Sequence, residues 1–525
     1  MIFSLKVIQT ISVITLFSIS CLSQQWPKIF GDPINAYGQD LVDYYDKGHL
    51  ICGSIMRDAS HFKYGWLIKT DINGNLLWDK KFGNASYENL FLDFEKVSDQ
   101  GLVISGATAK YDVDIDPLFV KINACGEIEW CRIFLSEGFN TAPGIITLPN
   151  GEYIGMLQYY RNNEQFIRIS LVKMDTNGEP VWINYLAQED STIFNEEGYS
   201  LNNTPDSNLL VTGRCSCPNL KPFYIKTDTA GVQLWDIRWP VGNEGYAKHS
   251  VFSLTGMIYS ATGLTFPGHP KLPYLLKFTS DGEVIDQYPL MGDTIVRGGA
   301  ESLLMVDNIN LYIGLSWTDD PTLTILHTDL LKTDTLGNLI ILRRLINGGG
   351  GYPPNKIIQS NDEKILTVGH YYVDGNWDIY LWKMNKNLED DTLYTQPLTY
   401  DSICPYEIKS DTVDLDCGVF VNIDEIPTKA EYESTVKISP NPATDWAVLT
   451  LPDVVAAGKV EIAVYDVFGR KVETGRRGEK EMGRMGMEPV NRVVVLDISG
   501  YPPGMYVVVV TDRNSKRYKG KLVVD

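Results

Sequence analysis

The sequence has few of the residues that build metal centres, and little positive charge. Its six histidines and eight cysteines form no HExxH motif and no CxxC pair, so the ligand spacing typical of zinc sites is missing. After the N-terminus, no run reaches the ~18 apolar residues of a membrane-spanning helix. Lys and Arg number 46 against 66 Asp and Glu, a net charge of −20. A surface this acidic repels phosphate backbones, so nucleic acid is not an expected partner.

The composition favours a folded, all-β protein. The hydrophobic fraction of 44% and the charged fraction of 21% exclude a disordered polyelectrolyte, while 11% aromatics and 45 glycines suit strands joined by many turns. Residues 1–23 place one positive charge, Lys6, before the apolar run Val7–Ile19 and a small, polar end. This layout predicts a secretory signal peptide. Acylation at Cys21 is the alternative, although Ser18 stands where a lipobox has Leu.

A unit of about 52 residues repeats seven times along the chain. Its clearest copies read WLIKTDINGNLLWDKKF at Trp66–Phe82 and SLVKMDTNGEPVWINYL at Ser170–Leu186. The lysine of each copy follows the last by 51 to 55 residues, at Lys69, Lys121, Lys173, Lys226, Lys277, Lys332 and Lys383. A glycine keeps the same period, at Gly53, Gly106, Gly155, Gly213, Gly263, Gly314 and Gly369. Such a period indicates an array of one supersecondary unit.

Each unit contains four strand-length segments, which is typical of a β-propeller blade. The pair Asn73-Gly74 and its equivalents predict type I′ hairpins between the third and fourth strands. A ring of seven blades lets every sheet pack on a neighbour, and the repeated Trp78, Trp130, Trp182 and Trp235 are expected to fill those contacts. The sequence of Trp26–Phe30 resembles that of Trp78–Phe82, the predicted fourth strand of the first blade, so we expect it to complete the last blade. Six or eight blades, or a solenoid, are the alternatives.

The aromatic residues of the variable loops are the candidate ligand-binding residues. In a propeller the loops between strands two and three, and those between blades, lie on one rim; here they vary in length. Aromatic rings mixed with Asp and Asn suit stacking on sugars or gripping peptides, although the same rings could instead cap the blade cores. The candidates are Tyr159, Tyr160, Trp317, Tyr371, Tyr372 and Trp377, with His61, Phe62, Tyr64, Tyr111, Phe266 and His269 in the same loops.

The remaining cysteines and acidic residues suggest disulfides and, less strongly, calcium. An exported chain permits disulfides, and we expect Cys404 to pair with Cys417 across a hairpin in a linker of residues 399–435. A bridge between Cys125 and Cys131 is a second expectation. No cofactor is predicted, but Asp112, Asp114 and Asp116 resemble the start of a calcium loop. They lack the later Gly and Glu of an EF-hand, so a solvated acidic loop is the simpler interpretation.

The C-terminal 90 residues do not show the repeat and instead contain three motifs in a fixed order. These are Pro440-Asn441-Pro442-Ala443, then Tyr465-Asp466 through Gly469-Arg470, then Leu496-Asp497 through Gly504-Met505-Tyr506. Residues 436–525 hold 14 basic and 11 acidic side chains, so a change of charge coincides with the change of text.

This segment resembles the type A C-terminal sorting domain of type IX secretion cargo. The resemblance implies an immunoglobulin-like β-sandwich that docks with the type IX machinery at the outer membrane. Its sorting-motif residues include Pro440, Asn441 and Tyr506. It also implies export through the periplasm to the outer-membrane surface or the medium. Short strand-like runs between Pro and Gly independently predict a β-sandwich.

The predicted organisation is a signal peptide (1–23), a seven-bladed propeller (24–398), a linker (399–435) and a sorting domain (436–525). For the propeller we expect binding of a glycan or protein ligand through the variable rim. The alternatives are an enzyme on the same scaffold, either hydrolase or quinoprotein-like, and a purely structural or adhesive surface protein. Because propellers host many chemistries, the fold cannot choose between these functions.

Overall fold

The computed structural model is all-β over the residues it describes. These are residues 26–31, 33–57, 62–84, 86–110, 114–136, 138–160, 166–186, 195–216, 220–239, 244–291, 297–320, 322, 326–347, 352–373, 375–420, 426, 436–452, 460–466, 471–472, 485–487, 493–511 and 517–524.

The first 28 strands form seven four-stranded antiparallel sheets. In chain order they are β1 (Lys28–Phe30); blade 1, β2 (Ala36–Asp43), β3 (His49–Met56), β4 (Lys63–Thr70), β5 (Leu76–Phe82); blade 2, β6 (Asn89–Lys96), β7 (Leu102–Thr108), β8 (Asp116–Ile122), β9 (Ile128–Phe134); blade 3, β10 (Thr141–Thr147), β11 (Tyr153–Tyr160), β12 (Ile167–Met174), β13 (Pro180–Tyr185); blade 4, β14 (Glu196–Asn203), β15 (Leu209–Ser216), β16 (Leu220–Thr227), β17 (Gln233–Arg238); blade 5, β18 (Glu244–Phe252), β19 (Ile258–Thr265), β20 (Lys271–Phe278), β21 (Val284–Pro289); blade 6, β22 (Arg297–Val306), β23 (Asn310–Thr318), β24 (His327–Thr333), β25 (Leu339–Asn347); and blade 7, β26 (Lys356–Gln359), β27 (Ile365–Val373), β28 (Asn376–Met384).

The ring closes as the sequence predicts. Strand β1 pairs antiparallel with β28, placing Ile29 opposite Tyr380, and so supplies the fourth strand of blade 7. The first strand of each blade lies innermost and contacts the first strand of the next, and β26 contacts β2. A seven-bladed propeller closed by its N-terminal strand is therefore confirmed, and both apolar faces of each small sheet are buried against neighbours.

The repeated tryptophans join neighbouring blades, as expected. A Cβ added to the turn glycine Gly178 of blade 3 would meet the ring of Trp130 in blade 2 at 2.7 Å. Gly231 meets Trp182 at 2.6 Å in the same way, and Gly74 meets Trp26 of the closing strand at 2.8 Å. Each indole thus lies flat against the next blade at a position where only glycine leaves room for it.

The turns that hold these glycines differ from the predicted type I′ form. In the turn between β4 and β5 of blade 1 only Gly74 has a positive φ, 75°, and the loop runs from Asp71 to Asn75 with a register shift beside Lys69. The carboxylate of Asp71 accepts the backbone N–H groups of Asn73 and Asn75, each at 2.8 Å. This side chain stabilises a three-residue loop that ends in a left-handed glycine, so the expectation of two left-handed residues was wrong.

A strap, defined here as residues 394–420, covers the outer edges of blades 1 and 2. Its strands β29 (Asp411–Val413) and β30 (Gly418–Phe420) pair in parallel with β5 and β9, the outermost strands of those blades. The outer edge of a sheet offers unpaired backbone groups, and the strap satisfies them on two successive blades.

Disulfides bond the strap to blade 2 and correct the predicted pairing. Cys404 is bonded to Cys125 and Cys417 to Cys131, so neither the predicted Cys404–Cys417 bridge nor a Cys125–Cys131 bridge forms. The reason is that the strap runs extended along the blade instead of folding into a hairpin. The two cysteines of the strap therefore lie beside two different positions of blade 2. Cys215 is also disulfide-bonded, and Cys52 is free and buried.

The C-terminal domain is a sandwich of two sheets around one apolar core. Its strands are β31 (Lys437–Ser439), β32 (Trp446–Thr450), β33 (Val460–Asp466), β34 (Lys471–Val472), β35 (Met485–Met487), β36 (Val493–Asp497), β37 (Gly504–Thr511) and β38 (Arg517–Val524). One sheet has the order β31-β32-β36, and the other has β34-β33-β37-β38 with β35 also paired to β33. Buried Leu449, Val464 and Val508 pack between them, in agreement with the predicted immunoglobulin-like sandwich.

Candidate functional site

The same irregularity recurs in six of the seven innermost strands. Between the first and second strands of blades 1 to 6 the register shifts by one residue; in blade 3 the shift lies between Thr141 and Gly144. A β-bulge of this kind re-aims a side chain out of the sheet. The residues at the bulges are Gln39, Leu92, Pro143, Tyr199, Lys248 and Glu301, and all six line one cavity at the centre of the ring.

In three blades the periodic glycine of the second strand makes room for the bulge. A Cβ at Gly106 would lie 1.9 Å from the carbonyl oxygen of Leu90, and one at Gly53 or Gly213 would lie 2.0 Å from the carbonyl oxygen of Tyr37 or Glu197. Backbone at this distance cannot move aside cheaply, so glycine is required at these positions of blades 1, 2 and 4. The equivalent glycines of blades 3, 5 and 6 (Gly155, Gly263 and Gly314) adjoin side chains instead. The glycine repeat therefore marks a constant frame that presents a different side chain in each blade.

The cavity at the channel mouth has an apolar wall and a polar wall. Its volume is about 380 Å³, within the usual range for small-molecule sites. Blades 2 and 3 contribute Leu90, Leu92, Phe139 and Pro143, and blades 4 to 6 contribute Glu197, Tyr199, Lys248 and Glu301. The two walls can therefore contact the apolar face and the hydroxyl edge of one ligand.

Two tyrosine–carboxylate pairs organise the polar wall. The Tyr246 hydroxyl donates to Glu301 at 2.7 Å, and the Tyr199 hydroxyl donates to Glu197 at 2.9 Å. Burial, and then the neighbouring carboxylate, raise the pKa of both phenols, so both remain protonated donors. Lys248 lies 4.2 Å above the Tyr199 ring and 3.6 Å from Glu301, which leaves ring faces and charged groups side by side.

Below the mouth, polar contacts link successive blades around the channel. The Lys356 ammonium of blade 7 lies 2.9 Å from Asp40 of blade 1, and Asp40 is hydrogen-bonded to Asp93 of blade 2. Burial favours the neutral form of both acids, but Lys356 holds the pKa of Asp40 below its usual value. Burial and the Asp40 charge raise the pKa of Asp93. Asp93 thus keeps its proton and donates to Asp40, while it accepts the N–H of Ile145 in blade 3 at 3.0 Å.

Two of the predicted rim residues belong to an aromatic cluster beside this cavity. Trp377 contacts Tyr372 with ring centroids 5.3 Å apart and Tyr352 at 5.1 Å, and Tyr37 and His370 complete the cluster. Tyr372 is 47% exposed and Tyr352 is 52% exposed. Asn355, which lines the cavity, approaches His370 at 3.5 Å and donates to the carbonyl of Gly38 at 2.6 Å. The cluster and the cavity are therefore continuous at the junction of blades 7 and 1.

Other predicted rim residues lie in the core or are only partly accessible. Tyr159 is 1% exposed, and Trp317 is 6% exposed with its indole N–H donated to Asp329 at 2.6 Å. Neither ring can stack on a ligand in this arrangement, because both fill space between strands. Tyr371 packs on the blade 7 core and Tyr160 covers Gly138. His61 and Tyr111 lie outside the described residues.

The suggested calcium loop is described only in part. Asp112 lies outside the described residues, whereas the buried carboxylate of Asp116 accepts the backbone N–H of Ser136 at 2.9 Å. Across the residues that the structure describes, no group of three or more His, Cys, Asp or Glu side chains is arranged to hold a metal ion. Calcium near Asp114 therefore stays an untested prediction.

Sequence reasoning missed the bulge residues, although a signal for them exists. Each lies 12 to 15 positions before the periodic glycine, and the spacing is 14 for Gln39, Leu92 and Tyr199. The signal is hard to recognise because the residue type changes from blade to blade. Only the constant glycine that accommodates the bulge repeats.

In the C-terminal domain, the first sorting motif closes the sandwich. The Asn441 side chain accepts the N–H of Val523 at 2.7 Å and donates to the carbonyl of Lys521 at 2.9 Å. The motif Pro440–Pro442 thus holds the last strand of the opposite sheet. Tyr506 is buried and donates its hydroxyl to Pro502 at 2.7 Å, and Gly504 has a φ of 155°. Gly469 and Arg470 lie outside the described residues.

The family comparison agrees with this geometry. Residues 437–525 match the family described as "Secretion system C-terminal sorting domain", so this segment is a type IX sorting domain. The chain is accordingly type IX secretion cargo, exported through the periplasm to the cell surface or the extracellular space. No protein of curated function matches the sequence. Among the described residues there is no apolar helix of membrane-spanning length.

Solved structures resemble the chain at the level of fold. An ulvan lyase, described as belonging to a new family of polysaccharide lyase, has a TM-score of 0.44 at 10% identity; the match covers 69% of this chain and 96% of the lyase. Semaphorin 2a of Drosophila has a TM-score of 0.41 at 8% identity and covers 95% of this chain and 97% of its own. The periplasmic gluconolactonase of Pseudomonas aeruginosa has a TM-score of 0.38 at 13% identity, covering 68% and 98%. Similarity this weak carries no information about a ligand.

Proposed function

We propose that this chain is an exported surface protein whose propeller binds a glycan at the mouth of its central channel. The observation that carries the proposal is the bulge shared by six innermost strands. The backbone irregularity is the same in these blades, but the side chain that it directs into the cavity differs from one blade to the next. Repeated strands can in this way form a binding site of specific composition.

The chemistry of the lining favours a sugar over a protein segment. The cavity is concave, and its polar wall combines the Tyr199 ring with the Glu197 and Glu301 carboxylates and the Lys248 ammonium. Sugars present an apolar ring face and a polar edge, which match such a surface. The exposed rings of Tyr352 and Tyr372 extend the same surface towards blades 7 and 1, so a glycan longer than one sugar could continue across the rim.

The acid pair in the channel supports binding rather than hydrolysis. Glycosidases hold two carboxyl groups about 5–9.5 Å apart, with the sugar bond or a water between them. Asp40 and Asp93 are instead hydrogen-bonded directly to each other, and Lys356 neutralises the pair. Because Asp40 and Asp93 contact blades 3 and 7, we infer that they stabilise the contacts between blades.

A glycan array probed with purified residues 24–525 tests the proposal, followed by titration calorimetry of any ligand found. Replacing the two rim aromatics in Tyr372→Ala and Trp377→Ala should weaken binding about tenfold each, the effect of losing roughly 1.4 kcal/mol of stacking. The matched control is Leu254→Ala, because Leu254 is an 87% exposed apolar residue in a turn of the opposite rim. Equal binding by all three variants, or no glycan bound at all, would overturn the proposal. New reducing ends on the bound glycan would identify an enzyme instead.

A further inference from the structure

Beside the polar wall of the cavity, basic side chains outnumber acidic ones; of the four basic residues, Lys248 lines the cavity itself. Arg214, Lys248, Lys271 and Arg297 surround two carboxylates, Glu197 and Glu301, in a chain whose net charge is −20. Arg214 pairs with Glu197 at 2.8 Å, and Lys248 approaches Glu301 at 3.6 Å. A local excess of cations on an acidic protein is a feature of a particular site, not of the whole surface.

Of these four cations, Lys271 has the least neutralisation of its charge by carboxylates. Its ammonium lies 4.6 Å above the ring of Tyr246. Within the described part of the chain, no carboxylate lies within ion-pair distance of it. The carboxylate whose charge acts on Lys271, Glu301, already accepts the Tyr246 hydroxyl and contacts Lys248. Burial, and then the charges of Arg297, Lys248 and Arg214, lower the pKa of Lys271. The four cations therefore repel one another, and an anion bound among them would relieve this cost.

Two glycines leave space for the tyrosine beside this wall. A Cβ at Gly299 would lie 1.9 Å from the Tyr246 hydroxyl, and one at Gly263 would lie 3.0 Å from its ring. Two glycines thus make room for the tyrosine that supports Lys271 and orients Glu301. The aromatic ring and the cation are placed by the fold, which is the preorganisation that a specific binding site needs.

We propose that the blade 4–6 side of the channel mouth binds the anionic substituent of an acidic saccharide, with Lys271 and Lys248 as its principal contacts and the Tyr199 ring beside the sugar. This inference rests on the proposed function, which it narrows from glycans in general to glycans that carry a carboxylate or a sulfate ester. Both groups present oxygen acceptors that lysine and arginine bind through charge-assisted hydrogen bonds.

The test compares three sets of oligosaccharides of equal length, neutral, uronate-containing and sulfated, by calorimetry against purified residues 24–525. We expect the acidic sets to bind more tightly than the neutral set, and their advantage to shrink as salt is raised. Preference for the uronate or the sulfated set would identify which anion is bound.

Lys271→Gln should weaken acidic binding at least about tenfold, as expected for the loss of one charge-assisted hydrogen bond, and should leave neutral binding unchanged. Lys271→Arg, which keeps the charge, should retain most of the affinity. The control Lys96→Gln removes an exposed lysine from the opposite rim and should change neither. Because Lys271→Gln also removes one of four repelling cations, its melting temperature should stay equal or rise, which separates lost binding from lost folding.

The outcomes distinguish the two proposals. Equal affinity for neutral and acidic sets, or unchanged acidic binding by Lys271→Gln, overturns this inference and leaves the proposed function standing. The absence of binding to all three sets overturns both.

Discussion

At the level of single residues, the site depends on what a bulge does to a side chain. In a regular innermost strand, Tyr199 or Lys248 would point into the packing between two sheets. The extra residue turns it towards the channel. Beside Tyr199, Gly213 on the neighbouring strand leaves space for the carbonyl of Glu197. A substitution at a bulge position therefore changes the ligand surface while the blade packing stays intact.

Glu95, in the channel, is a residue whose ionisation affects folding. Burial raises its pKa from 4.5 to about 7, although its carboxylate accepts the backbone N–H of Thr147 in blade 3. The folded state therefore binds this proton more tightly than the unfolded state does. The resulting stability is fully present below pH 4.5 and is lost as the pH rises towards and through 7.

Glu95→Gln should remove this part of the pH dependence. The neutral amide can still accept the Thr147 N–H, so the variant should lose less of its melting temperature than the wild type between pH 5 and pH 8. Thermal unfolding followed by circular dichroism at four pH values measures the difference. Glu283→Gln, in an exposed turn of blade 5, is the matched control and should follow the wild type. Parallel pH profiles for Glu95→Gln and the wild type would contradict the assignment.

At the level of elements, the strap adds a fifth strand to each of two blades and bonds covalently to one of them. Tyr394 exchanges hydrogen bonds with the Asn73 side chain in a turn of blade 1, and Asp401 accepts the indole N–H of Trp78 at 2.9 Å. Asp411 then pairs with Lys80 at 2.7 Å. The strap thus connects the face that carries the turns to the outer edges of blades 1 and 2 before the chain continues to the sorting domain.

The disulfides of the strap can be checked by peptide mapping without reduction. We expect linked peptides that join Cys125 to Cys404 and Cys131 to Cys417. Cys404→Ser and Cys417→Ser should each lower the free energy of unfolding by about 2–4 kcal/mol, because the strap then gains freedom in the unfolded chain. The control is the wild type under reducing conditions, which should be as stable as the Cys404→Ser/Cys417→Ser double variant under the same conditions, because reduction also breaks the disulfide of Cys215 in both. A peptide that joins Cys404 to Cys417 would contradict the structure.

At the level of the whole molecule, export and binding are carried by separate parts of the chain. The sorting domain has its own apolar core and a slightly basic composition, whereas the preceding residues carry the acidic charge. The propeller is closed by its N-terminal strand, so its stability does not need the C-terminal strands. This arrangement lets the machinery of export recognise one domain whatever the other one binds.

Removal of residues 437–525 should therefore leave the protein in the periplasm. Cell fractionation followed by immunoblotting measures this, and resistance of the truncated chain to proteolysis checks that its propeller has folded. Asn441→Ala, which loses the two hydrogen bonds to the last strand, is a milder second variant and should reduce surface display. The propeller variant Leu254→Ala should be exported normally. Unchanged surface display of the truncated chain would refute the assignment of export to this domain.

The sequence repeat by itself determined the architecture, because the strands and turns of each blade depend on residues that are close together in the sequence. The lysine and glycine periods count the blades. The text shared by Trp26–Phe30 and Trp78–Phe82 identifies the closing strand, and the motifs from Pro440 to Tyr506 identify the sorting domain. Turn geometry was less certain, since the Asp71 side chain and the bulge at Lys69 change which residue must be left-handed.

Only the tertiary structure decided the site and the disulfides, because both join residues that the sequence separates widely. Cys125 and Cys404 are 279 positions apart and meet since the strap returns to blade 2. Trp317 and Tyr372 are equally plausible in sequence, but one is buried between strands and the other stands on the rim. The channel residues are contributed singly by different blades, so no local pattern contains the site. It exists only when the ring closes and its bulges face a common axis.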